Sequence, residues 1–210
     1  MVIIFQFIVL IFSVMVHEVS HGIVAYKLGD DTAKTLGRLN FNPLKHLDPM
    51  GSVILPVFLL LMNSPILFGW AKPVPYNPNN LKNPKKGAAL IALAGPMSNL
   101  ALAVIFGVLI QILGPFADNL GETVISLLQF FNVIVFINVL LAVFNLVPIP
   151  PLDGSKLIFA MLPPRYYRVQ RFLEQYGMFL LIFFIFFGFG IIIPVISGLY
   201  HLLTAPFSIF

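Results

Sequence analysis

The sequence predicts an all-α polytopic membrane protein with about four full membrane spans. Of its 210 residues, 59% are hydrophobic and only 10% are charged, whereas about a quarter of the residues are charged in an ordinary soluble domain. The apolar residues are concentrated in five runs, each reaching the roughly 18 residues that a helix needs to cross a bilayer. A soluble fold would leave very large apolar patches in water, so a lipid bilayer is the expected environment.

The first apolar run, residues 2–26, contains an ionisable cluster. Its first half is almost purely apolar, and it is then interrupted by His17, Glu18 and His21. Ionisable side chains within a span are costly to bury and are usually functional. The run lacks a basic segment ahead of it and a small-residue cleavage pattern after it, so we expect it to remain in the mature protein.

The second run, residues 52–70, is predicted to be a re-entrant hairpin or a helix pair rather than a full crossing. It is broken by two prolines and by the polar pair Asn63 and Ser64. Lys45 and Lys72 flank the run, and the positive-inside rule places both lysines on the cytoplasmic side. Irregular backbone at membrane depth must be buried against protein, so we expect this segment to return to its own face.

The remaining runs, residues 88–113, 123–147 and 176–204, are predicted to be membrane-spanning helices because they contain no charged residue. Two further stretches, residues 34–41 and 70–76, are predicted to be short membrane-associated strands. The second of these contains two prolines, which suit an edge strand better than a helix.

Charge is distributed asymmetrically among the connections. Residues 27–86 and 148–175 are rich in Lys and Arg, whereas residues 114–122 contain only two acidic residues. The first and third connections are therefore expected in the cytoplasm and the second outside. The net charge of +4 is dispersed between apolar blocks and forms no basic face, so no nucleic-acid partner is expected. The lack of cysteine excludes disulfides and thiolate metal sites.

His17, Glu18 and His21 form an HExxH pattern. On a helix, His17 and His21 lie one turn apart on the same face, with Glu18 beside them. Two imidazoles and a carboxylate are a typical ligand set for Zn²⁺, which lowers the pKa of a bound water toward about 7 so that a neighbouring Glu can take its proton. The pattern predicts a zinc hydrolase site, although the same ligands also accommodate Fe²⁺, Co²⁺ or Mn²⁺.

A third protein ligand is then required, and the acidic residues outside the motif are few. His17 and His21 lie at the cytoplasmic end of the first span, so acidic residues of the second connection are on the wrong side. Asp153 follows a proline-broken stretch at the cytoplasmic end of the fourth run and can fold back toward the metal, although an Asp before Gly is also common in turns. The candidates are Asp30, Asp31, Asp48, Asp118, Glu122, Asp153 and Glu174.

Several motifs together resemble those of the site-2 protease family of intramembrane zinc metalloproteases. The resemblance rests on HExxH within a span and on residues 145–154, Asn-Leu-Val-Pro-Ile-Pro-Pro-Leu-Asp-Gly, which are similar to the family's Asn…Leu-Asp-Gly motif. Residues 95–99, Gly-Pro-Met-Ser-Asn, resemble its Gly-Pro-x-x-Asn element, and residues 42–49 look like the segment that follows HExxH in short bacterial members. Ser155 departs from the second Gly that the family often has after the Asp.

The resemblance implies a role for each motif residue. His17, His21 and Asp153 would bind one zinc ion per chain, and Glu18 would be the general base. Asn145 would contact the substrate backbone or the oxyanion. The implied activity is that of an intramembrane metalloendopeptidase, which cuts transmembrane segments of other membrane proteins to release signalling factors or to clear leftover peptides.

The resemblance also implies a domain organisation and a location. Residues 1–210 would form one integral membrane metalloprotease domain, with a catalytic core over about residues 2–160 and a C-terminal span at 176–204. It would be a minimal form without PDZ or CBS domains. We expect a multi-pass protein of the cell membrane, with its active site toward the cytoplasm and a membrane-protein substrate as partner.

Two other functions are compatible with the same residues. One is a polytopic metal transporter that uses the His/Glu/Asp cluster as a transit site. The other is a metal-dependent membrane enzyme that acts on lipid or isoprenoid substrates. A transporter should place several ligand sets in more than one span, whereas this sequence concentrates its ligands at one depth.

Overall fold

The computed structural model describes residues 2–54, 57–58, 61–62, 72–117 and 121–205. Seven α-helices lie in these ranges: α1 (Val2–Lys27), α2 (Thr32–Thr35), α3 (Pro84–Leu113), α4 (Glu122–Asn145), α5 (Asp153–Met161), α6 (Tyr167–Phe183) and α7 (Ile193–Thr204). Short 3-10 turns occur at Pro43–Lys45, Pro78–Asn80, Gly114–Phe116, Pro164–Tyr166 and Phe189–Ile191, and π-helical turns at Pro49–Ile54 and Phe184–Gly188. The described residues contain no β-strand.

Four helical stretches in the described part of the chain are long and apolar enough to cross a membrane, which confirms the all-α polytopic class. They are Ile4–Lys27, Pro84–Phe116, Glu122–Asn145 and Pro164–Ile191. Each exceeds the roughly 20 residues that cover the hydrocarbon thickness.

The last span differs from the predicted 176–204. It begins at Pro164, passes through the turns after α6 and ends at Ile191, and α7 is a separate, shorter helix. Proline lies in the first turn of α7, where its missing N–H costs nothing, although inside a continuous helix it would break a hydrogen bond. The residues directly on both sides of this break are apolar, so the apolar run by itself could not reveal it.

The helices form a bundle around α3 and α4. Helix α1 packs against both of them, α5 packs against α3, and α7 packs against α3 and α4. The largest core cluster includes buried residues of α3, α4 and α7, among them Ala103, Ile110, Val135, Val139 and Tyr200. Burying these side chains leaves the opposite helix faces apolar and exposed, as expected where lipid rather than water surrounds the bundle.

Helix α1 ends in a turn that leads the chain back toward the start of α3. The N–H of Gly29 donates to Tyr26 and that of Asp30 to Ala25, with Gly29 at φ +105°, which is the Schellman arrangement that favours glycine. The Asp30 carboxylate then accepts from the backbone N–H of Asn77 and from the Asn80 amide, at 2.8 and 2.7 Å.

The two ends of the connection between α1 and α3 therefore meet at one end of the bundle. The hairpin predicted at 52–70 falls largely outside the described residues and stays a prediction.

The strand predicted at 34–41 is wrong. Thr32–Thr35 form a helical turn, which starts where the Asp30 carboxylate accepts from the N–H and the hydroxyl of Thr32. Ala33 is fully buried, so packing favours this turn over an extended edge. The Arg38 guanidinium then donates to the carbonyls of Lys45 and Lys72 and ties the two loops together.

The strand predicted at 70–76 is also not formed over its described part, residues 72–76. The N–H of Lys72 donates to the His46 carbonyl at 2.9 Å, next to an isolated bridge residue, Leu47. The next donor is taken by a side chain, since the N–H of Val74 donates to the Glu18 carboxylate at 2.9 Å. Pro73 and Pro75 have no N–H, so the described residues of this segment do not continue the pairing into a ladder.

Candidate metal centre

His17 and His21 lie on the same face of α1, one turn apart, as the sequence predicts. Both are buried, with exposed fractions of 5% and 8%. Their rings meet edge to face, with centroids 4.7 Å apart. This face of α1 is directed at α3, so the two imidazoles are held between spans rather than in a loop.

Asp153 joins the two histidines from a distant part of the chain. It is the first residue of α5, directly after the proline-containing connection from α4. Its Oδ2 atom lies 3.1 Å from Nε2 of His17 and 3.1 Å from Nε2 of His21. The ligand atoms of the three residues all lie within 4.8 Å of one another, and all three residues are buried.

The chain reaches this position because residue 154 has no side chain. A Cβ at Gly154 would collide with the Leu146 carbonyl and would lie 2.6 Å from the Val147 oxygen. Glycine therefore lets the start of α5 fold back closely on the end of α4, which brings Asp153 to the depth of the histidines.

The donor set is suited to a metal ion. Nδ1 of His21 lies 2.6 Å from the Ile91 carbonyl, which only accepts, so Nδ1 carries the hydrogen and Nε2 carries a lone pair in the neutral ring. That lone pair faces a carboxylate oxygen. A cation placed between the two Nε2 atoms and the carboxylate oxygen would accept a lone pair from each of them. Two imidazoles and a carboxylate are a ligand set that fits Zn²⁺.

Two neighbours shape the cluster. Nζ of Lys156 donates to Oδ1 of Asp153 at 3.1 Å, which leaves Oδ2 directed at the histidines. On the other side, Gly95 of α3 makes room for the rings, since a Cβ there would lie 2.5 Å from Cε1 and Nε2 of His17 and from Nε2 of His21.

Glu18 stands beside the three residues and is half-buried. Its Oε2 accepts the backbone N–H of Val74 at 2.9 Å. The segment that includes Val74 therefore lies against the site and orients the carboxylate that the sequence assigns as the base.

Asn145 is not brought into the cluster by a described contact. It is the last residue of α4, and its side-chain amide donates to the Leu141 carbonyl one turn earlier, at 2.9 Å. Its position at the start of the connection to Asp153 is near the site in the chain, and its assignment to substrate or oxyanion stays a prediction.

Several partners of the cluster were missed or undervalued by sequence reasoning. Asn99 is hydrogen-bonded to His17, Lys156 to Asp153, and the Ile91 carbonyl to His21. A polar residue within a span signals an interhelical hydrogen bond, but its partner depends on how the helices pack. A backbone carbonyl carries no sequence signal at all.

Comparison with known proteins agrees with this geometry. The family model "Peptidase family M50" matches residues 5–184. The "Putative zinc metalloprotease YwhC" of Bacillus subtilis (strain 168) is 39% identical over 194 residues, which cover 91% of this chain and 85% of that protein.

A second relative is the "Putative zinc metalloprotease Rip2" of Mycolicibacterium smegmatis. It is 31% identical over 170 residues, which cover 81% of this chain and 62% of that longer protein. No solved structure matches the chain. The extent of the family match and the identity to YwhC show that the chain belongs to peptidase family M50, the site-2 protease family, and is a multi-pass membrane zinc metalloendopeptidase.

Proposed function

We propose that this protein hydrolyses peptide bonds within or near transmembrane segments of other membrane proteins. The observation that carries the proposal is the meeting of His17, His21 and Asp153 inside a bundle of membrane-spanning helices. Asp153 is 132 residues beyond His21 in the chain, so the three ligands are assembled by the fold. A cluster at this depth would reach peptide bonds that a soluble protease cannot.

Each site residue has a proposed role. His17, His21 and Asp153 hold one zinc ion per chain, and Lys156 keeps the second oxygen of Asp153 occupied. When bound, zinc would act as a Lewis acid and would lower the pKa of the water molecule that it binds. Glu18 accepts a proton from the attacking water and passes it to the leaving amine. Asn145 binds the substrate backbone or the oxyanion.

We further propose that residues 1–210 act as one domain in the cell membrane, with the site toward the cytoplasm. The site lies at the end of the bundle where α1 leaves and α3 begins. The connection there carries Lys34, Arg38, Lys45 and Lys72, and basic connections face the cytoplasm. From this side the enzyme would serve regulated intramembrane proteolysis or the clearance of membrane peptides.

Transport is the weaker alternative. A transporter needs successive ligand sets along a path through the membrane. Within the described residues, only one group of three or more metal-ligating side chains is close enough to hold an ion. A single buried set with an adjacent carboxylate supports hydrolysis rather than passage.

The test compares three site variants and one control variant of the purified full chain in detergent, using a model protein with one transmembrane segment as substrate. Glu18→Gln is expected to lower kcat by about 10²- to 10⁴-fold and to retain one zinc per chain. His21→Ala and Asp153→Ala are expected to lose zinc. Glu174→Gln is the matched control, because Glu174 is exposed on α6 and contacts Gln170.

The results distinguish the proposed protease mechanism from its alternatives. Cleavage by Glu18→Gln at the rate of the unmodified chain would remove Glu18 from the reaction. Stoichiometric zinc in Asp153→Ala would show that the second motif does not bind the ion. An unmodified chain that binds zinc but cuts no membrane-protein substrate, while Glu18→Gln accumulates an unprocessed lipid in cells, would favour the lipid-modifying alternative.

A further inference from the structure

Three polar side chains close to His17 are buried within the bundle. Ser13 of α1 is 4% exposed, and Asn99 of α3 and Asn138 of α4 are 0% exposed. Buried polar groups without partners are costly, especially within a membrane. All three are hydrogen-bonded, so their arrangement is one connected network across three helices.

The orientation of Asn138 follows from its partners. Its Nδ2 lies 2.9 Å from the Ile134 carbonyl and 2.9 Å from the Ser13 hydroxyl. A backbone carbonyl only accepts, so the atom facing Ile134 must be the amide nitrogen. Both of its hydrogens are then used, and Oδ1 of Asn138 is turned toward α3.

The orientation of Asn99 follows in turn. Its Nδ2 donates to Oδ1 of Asn138 at 2.9 Å and to the Ser13 carbonyl at 3.3 Å. Two acceptors on this side leave Oδ1 of Asn99 on the other, where it lies 2.6 Å from Nδ1 of His17. An amide oxygen only accepts, so Nδ1 of His17 carries the hydrogen. In the neutral ring Nε2 then carries the lone pair, and a cation between Nε2 and the Asp153 oxygen 3.1 Å away would be bound by both atoms.

We propose that Asn99 is the positioning residue that selects the metal-binding tautomer of His17, and that Asn138 and Ser13 hold Asn99 in the required orientation. The inference rests on the proposed binding of a metal by His17, His21 and Asp153. An Asn99 amide turned by 180° would offer a donor to His17, and the ring would then have to accept at Nδ1 and carry its hydrogen at Nε2, where a metal could not bind.

A merely structural role is the alternative, because buried asparagines commonly link membrane helices. Asn132 of α4 is an example in the same protein. Its Nδ2 donates to the Leu128 carbonyl at 2.9 Å, and its Oδ1 accepts from the Tyr200 hydroxyl at 2.6 Å. Asn132 is 1% exposed and bonds to α7 rather than to the site, so it is a matched control.

The first measurement reads the tautomer directly in metal-free protein that carries Asp153→Ala, because the Asp153 carboxylate, 3.1 Å from Nε2 of His17, would otherwise favour a hydrogen on that atom. The full chain is labelled with ¹⁵N at its 4 histidines, and the ring nitrogens are observed by NMR at about pH 9, where an ordinary imidazole is neutral. The signal of His17 is identified by its loss in His17→Gln. We expect a single Nδ1–H form with Asp153→Ala alone and with Asn132→Leu added, and a mixture of tautomers with Asn99→Leu added.

The second measurement is the dissociation constant for Zn²⁺, by competition with a chelator. Asn99→Leu should bind zinc about 10- to 100-fold more weakly, and Asn138→Leu about threefold to tenfold more weakly. The double variant should match Asn99→Leu, because Asn138 acts through Asn99 and the two effects do not add. Asn132→Leu should keep the original affinity, even where its melting temperature falls.

The result that overturns the proposal is an Nδ1–H tautomer kept in Asn99→Leu, or equal loss of zinc affinity in Asn99→Leu and Asn132→Leu. Neither reading depends on a protease substrate. If the unmodified chain binds no zinc but its His17 tautomer still depends on Asn99, the proposed metal function fails and the assignment of the network stands.

Discussion

Gly95→Ala is predicted to weaken zinc binding strongly by displacing both histidines. The new Cβ would lie 2.5 Å from two ring atoms of His17 and one of His21, and ordinary contacts begin at 3.4 Å. The rings would have to retreat by about 0.9 Å. Zinc–nitrogen distances of about 2.0–2.1 Å tolerate changes of only about 0.2 Å, so the cluster could not close around the ion.

The assay is zinc content by mass spectrometry, together with the dissociation constant for zinc, on the detergent-purified chain. We expect Gly95→Ala to bind at least about 100-fold more weakly, beyond the range found when an outer partner of a ligand is lost. Gly198→Ala is the control, because Gly198 also lies in a helix and a Cβ there meets nothing within 4 Å. Unchanged affinity in a folded Gly95→Ala protein would refute the derived position of the site against α3.

Three further predictions concern other parts of the molecule. Burial alone would raise the pKa of Asp30, but hydrogen bonds from Thr32, Asn77 and Asn80 more than offset this and lower it below its ordinary 3.8. The carboxylate therefore stabilises the fold above that pH and loses this effect in acid. Asp30→Asn should lower the free energy of unfolding by about 2 kcal/mol at pH 7, measured as a lower melting temperature. The difference in melting temperature between the variant and the unmodified chain should become smaller toward pH 3. A difference that does not change with pH would contradict this prediction. Tyr200→Phe removes a 2.6 Å buried hydrogen bond and should cost about 1–2 kcal/mol with zinc affinity unchanged; altered affinity would show that α7 acts on the site. Asn145→Leu should lower kcat by about 10²- to 10³-fold if Asn145 binds the oxyanion, with zinc content unchanged, whereas an unaltered kcat would remove it from the reaction.

Local pattern predicted the parts of this protein that depend on neighbouring residues. Hydropathy located three of the four spans, because an apolar run of sufficient length has no better environment than a bilayer. HExxH placed His17 and His21 on one face, because helical periodicity alone brings residues four apart together. The sidedness of the connections excluded the acidic residues of the second connection, and the resemblance to the site-2 protease family pointed to Asp153, which the described cluster contains.

The errors occurred where packing outweighs local preference. Residues 34–41 contain β-tolerant residues, yet the hydrogen bonds from Thr32 to the Asp30 carboxylate and the burial of Ala33 favour a helical turn. The last apolar run reads as one span, yet the chain breaks before α7, where Tyr200 is buried against α4. In both places the competing structures differ little in local energy, so tertiary contacts decide between them.

By itself, the sequence determined that this protein lies in a membrane, where its first three spans run, and that two histidines and a glutamate share a helical turn. Only the tertiary structure decided which atoms surround them. The Ile91 carbonyl, the space at Gly95 and the orientation of Asn99 all depend on how α3 packs against α1. The physical reason is that periodicity sets the direction of a side chain from its own backbone, whereas the partner that it meets depends on the packing of helices far apart in the chain.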